Sequence, residues 1–165
     1  MTTALIPGSF DPITLGHLNI IRRAANIFDK VVVCVMKNSA KNYLFNTAER
    51  MELVEKVTSR FPNVEVATNS GLLAEFAKSF EGAVIVKGLR AVSDFDYEFQ
   101  IALVNKKMNP ELDTLFLTAS EKYTFLSSTV VKEMAAYGAD LSELVPVEIL
   151  DDIKERINDR RQSQQ

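Results

Sequence analysis

Five short apolar runs along the chain alternate with longer segments in which apolar residues recur at helical spacing. The runs are aliphatic or β-branched and almost free of charge, as strands buried on both faces of a sheet are; they cover residues 4–7, 31–36, 64–67, 83–86 and 114–117. Strands that alternate with helices predict an α/β fold. We therefore expect one domain over residues 1–165, a Rossmann-like, doubly wound sheet of five parallel strands with helices on both faces.

The segments between the runs predict five helices, and a sixth is expected at about 147–158, followed by a polar tail at 159–165. Asn46 with Glu49 three residues later predicts a capping box, and Gly138 stands where a helix should end. The predicted apolar faces are, in chain order, Leu18, Ile21, Ala25 and Phe28; Met51, Val54, Val57 and Phe61; Leu72, Leu73, Phe76, Ala77 and Phe80; Phe95, Phe99, Ala102 and Leu103; and Val130, Met134 and Tyr137.

Composition narrows the class of protein. The 165 residues are 47% hydrophobic and 25% charged, and 19 Lys and Arg against 22 Asp and Glu give a net charge of −3. This charge disfavours a nucleic-acid partner. No apolar run approaches the ~18 residues of a membrane span, so we expect a cytoplasmic protein. The single cysteine, Cys34, excludes an intramolecular disulfide and should be an inert buried thiol, while the single histidine, His17, must carry all imidazole chemistry.

The residues that follow the strands are the candidate ligand site, because doubly wound sheets bind ligands where the strand order reverses. After the first strand, residues 7–17 are PGSFDPITLGH. Gly8 allows a tight turn, and His17 falls in the first turn of a helix whose N-terminus favours anions. After the fourth strand, residues 87–90 are KGLR. The first and fourth strands are neighbours in the commonest order, so the two segments predict one crevice for a polyphosphate.

Each of these segments also has a purely structural interpretation. The two KGLR cations could extend from a strand end into solvent. Ser127, Ser128 and Thr129, after the fifth strand, could be helix caps instead of phosphate donors. Lys37 and Lys41, after the second strand, could belong to an ordinary solvated loop. The chain has neither a GxxxxGK[ST] nor a GxGxxG motif, and no acidic cluster has the spacing of a metal site.

Three segments resemble the signatures of a known superfamily. Residues 14–17, TLGH, are similar to the [HT]-x-G-H signature of nucleotidylyltransferases, and residues 126–132, LSSTVVK, resemble their second signature. Residues 87–98, KGLRAVSDFDYE, closely resemble bacterial phosphopantetheine adenylyltransferases, and the resemblance runs from about residue 4 to about residue 146. At the position of Lys87 this family usually has an arginine. The lysine keeps the positive charge but lacks the planar guanidinium group that can bind two oxygens at once.

The resemblance implies transfer of the adenylyl group of ATP to 4′-phosphopantetheine in coenzyme A biosynthesis, giving dephospho-coenzyme A and pyrophosphate. It implies His17, Lys41 and Arg90 as catalytic residues. Phosphopantetheine would contact Ser9, Lys41, Leu73 and Lys87. ATP would contact Ser9, Phe10, His17, Gly88, Leu89, Arg90, Glu98, Tyr123, Thr124, Phe125, Leu126, Ser127, Ser128 and Thr129. It also implies a homohexamer, and Mg²⁺ carried by the ATP phosphates with no metal ligand from the chain.

The chemistry of the acceptor sets the expected mechanism. A phosphate monoester has a second pKa of about 6, so it is mostly a dianion at neutral pH. We therefore expect direct in-line displacement without a covalent enzyme intermediate. The alternatives are a cytidylyltransferase or nicotinamide-mononucleotide adenylyltransferase, and a nucleotide-sensing module without activity. Residues 87–98 argue against the first two, and the joint presence of His17, Lys41 and Arg90 argues against the last.

Overall fold

The computed structural model describes residues 1–38 and 42–163, except for the side chains of residues 92 and 93. Five parallel strands form one sheet in the order β3-β2-β1-β4-β5. They are β1 (Thr3–Gly8), β2 (Lys30–Met36), β3 (Val64–Asn69), β4 (Ala83–Leu89) and β5 (Asp113–Thr118). The predicted five-stranded, doubly wound sheet is confirmed, and β1 and β4 are neighbours.

The helices cover both faces of this sheet. They are α1 (Leu15–Ala25), α2 (Thr47–Thr58), α3 (Leu73–Phe76), α4 (Val92–Met108), α5 (Ser128–Ala136) and α6 (Leu150–Gln162). Strand side chains alternate between the faces. Ala4 and Ile6 of β1 therefore enter the core shared with α1, α2, α5 and α6, whereas Leu5 enters a second core with α3 and the end of α4. Within the described residues, no helix is long and apolar enough to cross a bilayer.

The two edge strands differ from the prediction that every strand is buried on both faces. Along β3 and β5, exposed positions are interspersed with partly buried ones. Both strands lie at the margins of the sheet, where each has a neighbouring strand on one side only.

The buried face of α5 also differs from the prediction. Val131 and Ala135 are buried, whereas Met134 is 40% and Tyr137 83% exposed. The buried pair has the i, i+4 spacing of a helix face, so the helix is rotated by one residue relative to the predicted stripe. The predicted end of this helix is confirmed, because Gly138 has a φ of +74° and its N–H donates to the Ala135 carbonyl at 3.0 Å.

The face predicted for α4 is exposed as well. Phe95, Phe99 and Leu103 are 40%, 45% and 55% exposed. These residues form no part of either buried core. The opposite side of α4 faces a cavity, described below.

The C-terminal helix begins and ends later than predicted. A 3-10 turn at Val147–Ile149 precedes α6, and the helix continues to Gln162, so most of the predicted polar tail is helical. Arg160 donates to the backbone carbonyl of Tyr43, which anchors the last turns of α6. Its charge is also favourable at the negative end of the helix dipole.

Two glycines determine how closely the elements approach one another near the switch point. A Cβ at Gly88 in β4 would lie 2.9 Å from Cγ1 of Ile20 in α1, so this helix can approach β4 only because the side chain is missing. At Gly8 a Cβ would lie 2.9 Å from the ring of Phe10. Phe10 itself has a φ of 49°, a left-handed conformation that is uncommon for a bulky residue.

Candidate active site

A cavity of about 770 Å³ opens at the carboxyl ends of β1 and β4, where the strand order reverses. The turn after β1, the start of α1, the end of β4, one side of α4 and the start of α5 form its walls. It brings together most of the sequence-predicted site residues, namely Ser9, Phe10, His17, Leu73, Lys87, Gly88, Arg90, Glu98, Tyr123, Leu126, Ser127, Ser128 and Thr129.

Three predicted site residues do not line this cavity. Leu89, Thr124 and Phe125 lie outside the lining, and Phe125 is 61% exposed. Lys41 lies outside the described residues. The roles of all the predicted site residues in binding or catalysis stay predictions.

The only histidine is held in one orientation by the N-cap of α1. The backbone N–H of Thr14 donates to Nδ1 of His17 at 3.1 Å, and Oγ1 of Thr14 accepts from the backbone N–H of His17 at 3.2 Å, which completes a reciprocal capping box. Because Nδ1 accepts a hydrogen bond, the proton of the neutral ring is on Nε2. Phe10 packs edge-on against the ring, with centroids 5.1 Å apart. His17 therefore offers one fixed N–H donor.

The same surroundings keep this imidazole neutral. Burial, the largest cause, and the positive charges of Arg90 and Lys87 together lower the pKa of His17 from 6.5 to about 4. Both effects disfavour the imidazolium ion. At pH 7 the ring is thus a neutral donor, suited to an anionic oxygen.

Both cations at the end of β4 pair with carboxylates of α4. Nζ of Lys87 lies 3.1 Å from Oε1 of Glu98, and Nε of Arg90 lies 3.1 Å from Oδ2 of Asp94. Nη1 of Arg90 also donates to the carbonyl of Leu126 at 3.0 Å. Arg90 thereby connects the end of β4 to the segment that leads into α5.

The hydroxyl residues at the start of α5 have separate tasks. Oγ of Ser127 accepts from the N–H of Val130 at 3.2 Å, so the N-cap interpretation is right for this residue. Oγ of Ser128 donates to the carbonyl of Pro12 at 2.8 Å and joins the start of α5 to the turn after β1. The first N–H groups of a helix have no partner within the helix. The start of α5 can therefore offer backbone donors to an anion in the cavity.

A buried carboxylate that sequence reasoning missed organises the turn after β1. Asp11, 2% exposed, accepts hydrogen bonds from the backbone N–H groups of Leu44 at 2.8 Å and Phe45 at 2.9 Å, and it lies 3.1 Å from Nζ of Lys132. It thus joins the β1 turn to the segment before α2 and to α5. The only signal in the sequence is an acidic residue between the first strand and the TLGH segment.

Sequence reasoning identified only Glu98 among the residues with which α4 lines the cavity. The cavity-lining side of this helix also includes Asp94, Tyr97, Ile101, Ala102 and Asn105. These positions follow a helical period, but they mix polar and apolar residues. A search for an apolar stripe selects the other side of the helix.

The described residues include no group of three His, Cys, Asp or Glu side chains that could hold a metal ion. Cys34 is buried in β2, and burial raises the pKa of its thiol to about 12. The thiolate does not form at neutral pH, which confirms the expected inert thiol.

The sheet and cavity are those of a nucleotidyltransferase, and residues 5–134 match the family model described as cytidylyltransferase-like. The fold is similar to that of a putative nicotinate-nucleotide adenylyltransferase from Vibrio parahaemolyticus, with a TM-score of 0.68 over 94% of this chain and 96% of that one. At 18% identity this likeness supports the fold alone.

Sequence similarity to curated proteins is much higher. The chain is 57% identical to the phosphopantetheine adenylyltransferase of Caldanaerobacter subterraneus over 88% of this chain and 91% of that protein. It is 53% identical to the one of Finegoldia magna over 96% and 98%, and 49% identical to one of Clostridium botulinum over 98% and 99%. The chain belongs to the phosphopantetheine adenylyltransferase family, and the prediction of an adenylyltransferase is confirmed.

Proposed function

We propose that the chain transfers the adenylyl group of ATP to the phosphate of 4′-phosphopantetheine, a step of coenzyme A biosynthesis that yields dephospho-coenzyme A and pyrophosphate. The observation that carries this proposal is the neutral His17, fixed by Thr14 in a cavity beside Lys87 and Arg90. A preorganised donor of this kind stabilises charge that develops on a phosphate oxygen. Membership in the family supports the choice of the two substrates.

In the proposed reaction an oxygen of the acceptor phosphate attacks the α-phosphorus of ATP. The bond from that phosphorus to the oxygen between the α- and β-phosphates breaks, and pyrophosphate leaves as an anion that keeps this oxygen. Because the acceptor is already a dianion, the chain needs to supply positioning and charge stabilisation but no general base. His17, Arg90 and the N-termini of α1 and α5 are the groups placed to do so.

Magnesium forms part of this proposal as a component of the substrate. It would enter on the phosphates of ATP, where it neutralises negative charge and polarises the phosphorus–oxygen bonds. The proposal requires no metal ligand from the chain.

A direct assay tests the reaction. Protein, ATP, Mg²⁺ and 4′-phosphopantetheine should release pyrophosphate and form dephospho-coenzyme A, detected by mass spectrometry. The matched control is His17→Ala, which should lose most of the rate. Turnover with nicotinamide mononucleotide or with CTP, but not with this pair, would favour another member of the superfamily. Binding of ATP with no turnover for any acceptor would favour a sensing module.

Isotope exchange tests whether the displacement is direct. With ATP, Mg²⁺ and labelled pyrophosphate but no acceptor, label should not enter ATP, because no adenylyl-enzyme forms. Exchange, or a protein mass increased by one adenylyl group, would contradict direct transfer. The same assay with the acceptor added is the positive control, because the reverse reaction then carries label into ATP.

A homohexamer in the cytoplasm completes the proposal. Apolar side chains on α4 and β5 are exposed on the single chain: Phe99 45%, Leu103 55%, Val104 54% and Leu115 47%. A cluster of exposed apolar residues is typical of an interaction surface. Sedimentation equilibrium should give about six times the chain mass of 18.5 kDa. A monomer at micromolar concentration would contradict the assembly and leave the proposed reaction intact.

A further inference from the structure

Arg50 in α2 is a buried cation with unusual partners. It is 0% exposed, yet within the described residues its guanidinium pairs with no carboxylate. Nη1 donates to the carbonyls of Ser9 at 2.5 Å and Met36 at 3.0 Å, and Nη2 donates to Oγ1 of Thr47 at 3.1 Å, while Nε has no described partner. A buried charge without a counter-charge is costly. Such a residue calls for an explanation beyond packing.

The position of Arg50 relative to the cavity supplies an explanation for this buried charge. Ser9 and Met36 both line the cavity, at the ends of β1 and β2. Nη1 therefore joins these two strand ends from behind the cavity wall. The ring of Tyr43 stacks on the guanidinium, with 4.0 Å from Cζ to the ring centroid. The planar group is thus held on its face by the ring and at its edge by two carbonyls, a geometry that a lysine cannot reproduce.

The bond to Ser9 bears directly on the conformation of the next residue. The Ser9 carbonyl belongs to the peptide that precedes Phe10, and Phe10 has a φ of 49°. A left-handed conformation of a bulky residue persists only where its surroundings impose it. Arg50 holds the orientation of that peptide, and the Phe10 ring in turn packs on the imidazole of His17.

We propose that Arg50 is a positioning residue of the adenylyl transfer: it fixes the turn after β1 against the end of β2, and through Phe10 it places His17 for the reaction. The proposal rests on the function proposed above. It assigns Arg50 no contact with either substrate. Its effect should therefore appear mainly in kcat, with a small effect on the affinity for ATP.

The test compares Arg50→Lys with a matched control, Arg156→Lys. Arg156 in α6 also donates to a carbonyl of the segment before α2, that of Leu44 at 3.1 Å, and its guanidinium also lies on an aromatic ring, that of Phe45 at 4.9 Å. It does not line the 770 Å³ cavity. Both substitutions keep a positively charged residue type and remove the planar guanidinium group. Displacements of about 1 Å can cost a rate 10²-fold, so we expect kcat to fall at least about tenfold in Arg50→Lys and to stay within about twofold in Arg156→Lys.

A second readout does not depend on activity. The chain has one histidine, so the NMR signals of its ring report the environment of His17 without ambiguity. Arg50→Lys should shift these signals, because the Phe10 ring moves relative to the imidazole, and Arg156→Lys should not. Thr47→Val provides a variant that retains Arg50 but removes the partner of Nη2. It should show a smaller change of the same sign in both kcat and the His17 signals.

The outcomes separate the possibilities. Equal kcat values for Arg50→Lys and Arg156→Lys, with unshifted His17 signals, would overturn the proposal and reduce Arg50 to a structural residue. If Arg50→Lys does not fold, Thr47→Val decides, and wild-type behaviour of that variant overturns the proposal. If the unmodified protein transfers no adenylyl group, the proposed function fails, and the His17 signals alone decide whether Arg50 positions the imidazole.

Discussion

A pH titration of His17 tests the electrostatics of the cavity, because the chain has no other imidazole. Burial, Arg90 and Lys87 lower its pKa from 6.5 to about 4. At pH 7 about one molecule in a thousand then carries an imidazolium ion, against about a quarter at the unperturbed value. The midpoint is measured from the ring signals by NMR between pH 3 and pH 8, in the absence of nucleotide.

Substitution of the nearby cations separates the causes of this shift. Arg90→Ala should raise the midpoint, and Lys87→Ala should raise it less. Because burial is the largest cause, neither variant should return the midpoint to 6.5. Lys30→Ala is the control, since Lys30 pairs with Glu65 at the start of β2, at the opposite end of the sheet.

The titration also predicts a dependence of stability on pH. The unfolded chain binds a proton on His17 below pH 6.5, but the folded chain does so only below about pH 4. The unfolded state therefore gains protons first as the pH falls, and the free energy of unfolding should decrease between these two values. His17→Gln should remove this component from the denaturation curves. A wild-type midpoint near 6.5 would refute the argument, because His17 would then be neither desolvated nor close to the cations.

Substitutions at four residues have further defined outcomes. His17→Ala should lower turnover about 10²-fold or more with little change in the ATP dissociation constant measured by calorimetry; a loss of ATP affinity alone would contradict the assigned role. Lys87→Arg should stay active and Lys87→Ala should be strongly impaired, and equal rates for the wild type and Lys87→Ala would remove Lys87 from the site. Lys41→Ala should raise the KM for phosphopantetheine far more than that for ATP, and unchanged acceptor kinetics would make it an ordinary loop residue. Asp11→Asn leaves Lys132 without its counter-charge and weakens two buried hydrogen bonds, so the free energy of unfolding from urea curves should fall by about 2 kcal/mol or more; an unchanged value would contradict the network.

The features that could be predicted from the sequence depend on local signals. The alternation of apolar runs and helical patterns was sufficient for the strand count, and the commonest doubly wound order was sufficient to place β1 beside β4. The capping box of Asn46 and Glu49 is confirmed in both directions, with 3.0 Å from the Glu49 N–H to Oδ1 of Asn46 and 2.8 Å for the return bond. Such pairs are three residues apart, and their geometry follows from the helix itself.

The features that could not be predicted depend on distant contacts. Asp11 binds groups that are 33 and 34 residues away along the chain, and Arg50 binds a carbonyl 41 residues away. These contacts are made to backbone N–H groups and a backbone carbonyl, so the residue types at those positions do not indicate them. The buried side of α5 and the exposed side of α4 depend likewise on which surfaces meet in the folded chain. Residue types alone do not specify that choice.

The ion pairs at the end of β4 give a physical reason why Lys87 can occupy a position at which phosphopantetheine adenylyltransferases usually have an arginine. Lys87 meets Glu98 through a single oxygen at 3.1 Å, a contact that an ammonium group makes without a planar fork. Arg90, in contrast, uses two edges of its guanidinium, one toward Asp94 and one toward the Leu126 carbonyl, and a lysine could not make both contacts. The two cations of the KGLR segment are therefore not interchangeable. Arg90 is the residue that joins β4 to the segment before α5, whereas the contact at position 87 needs only a positive charge.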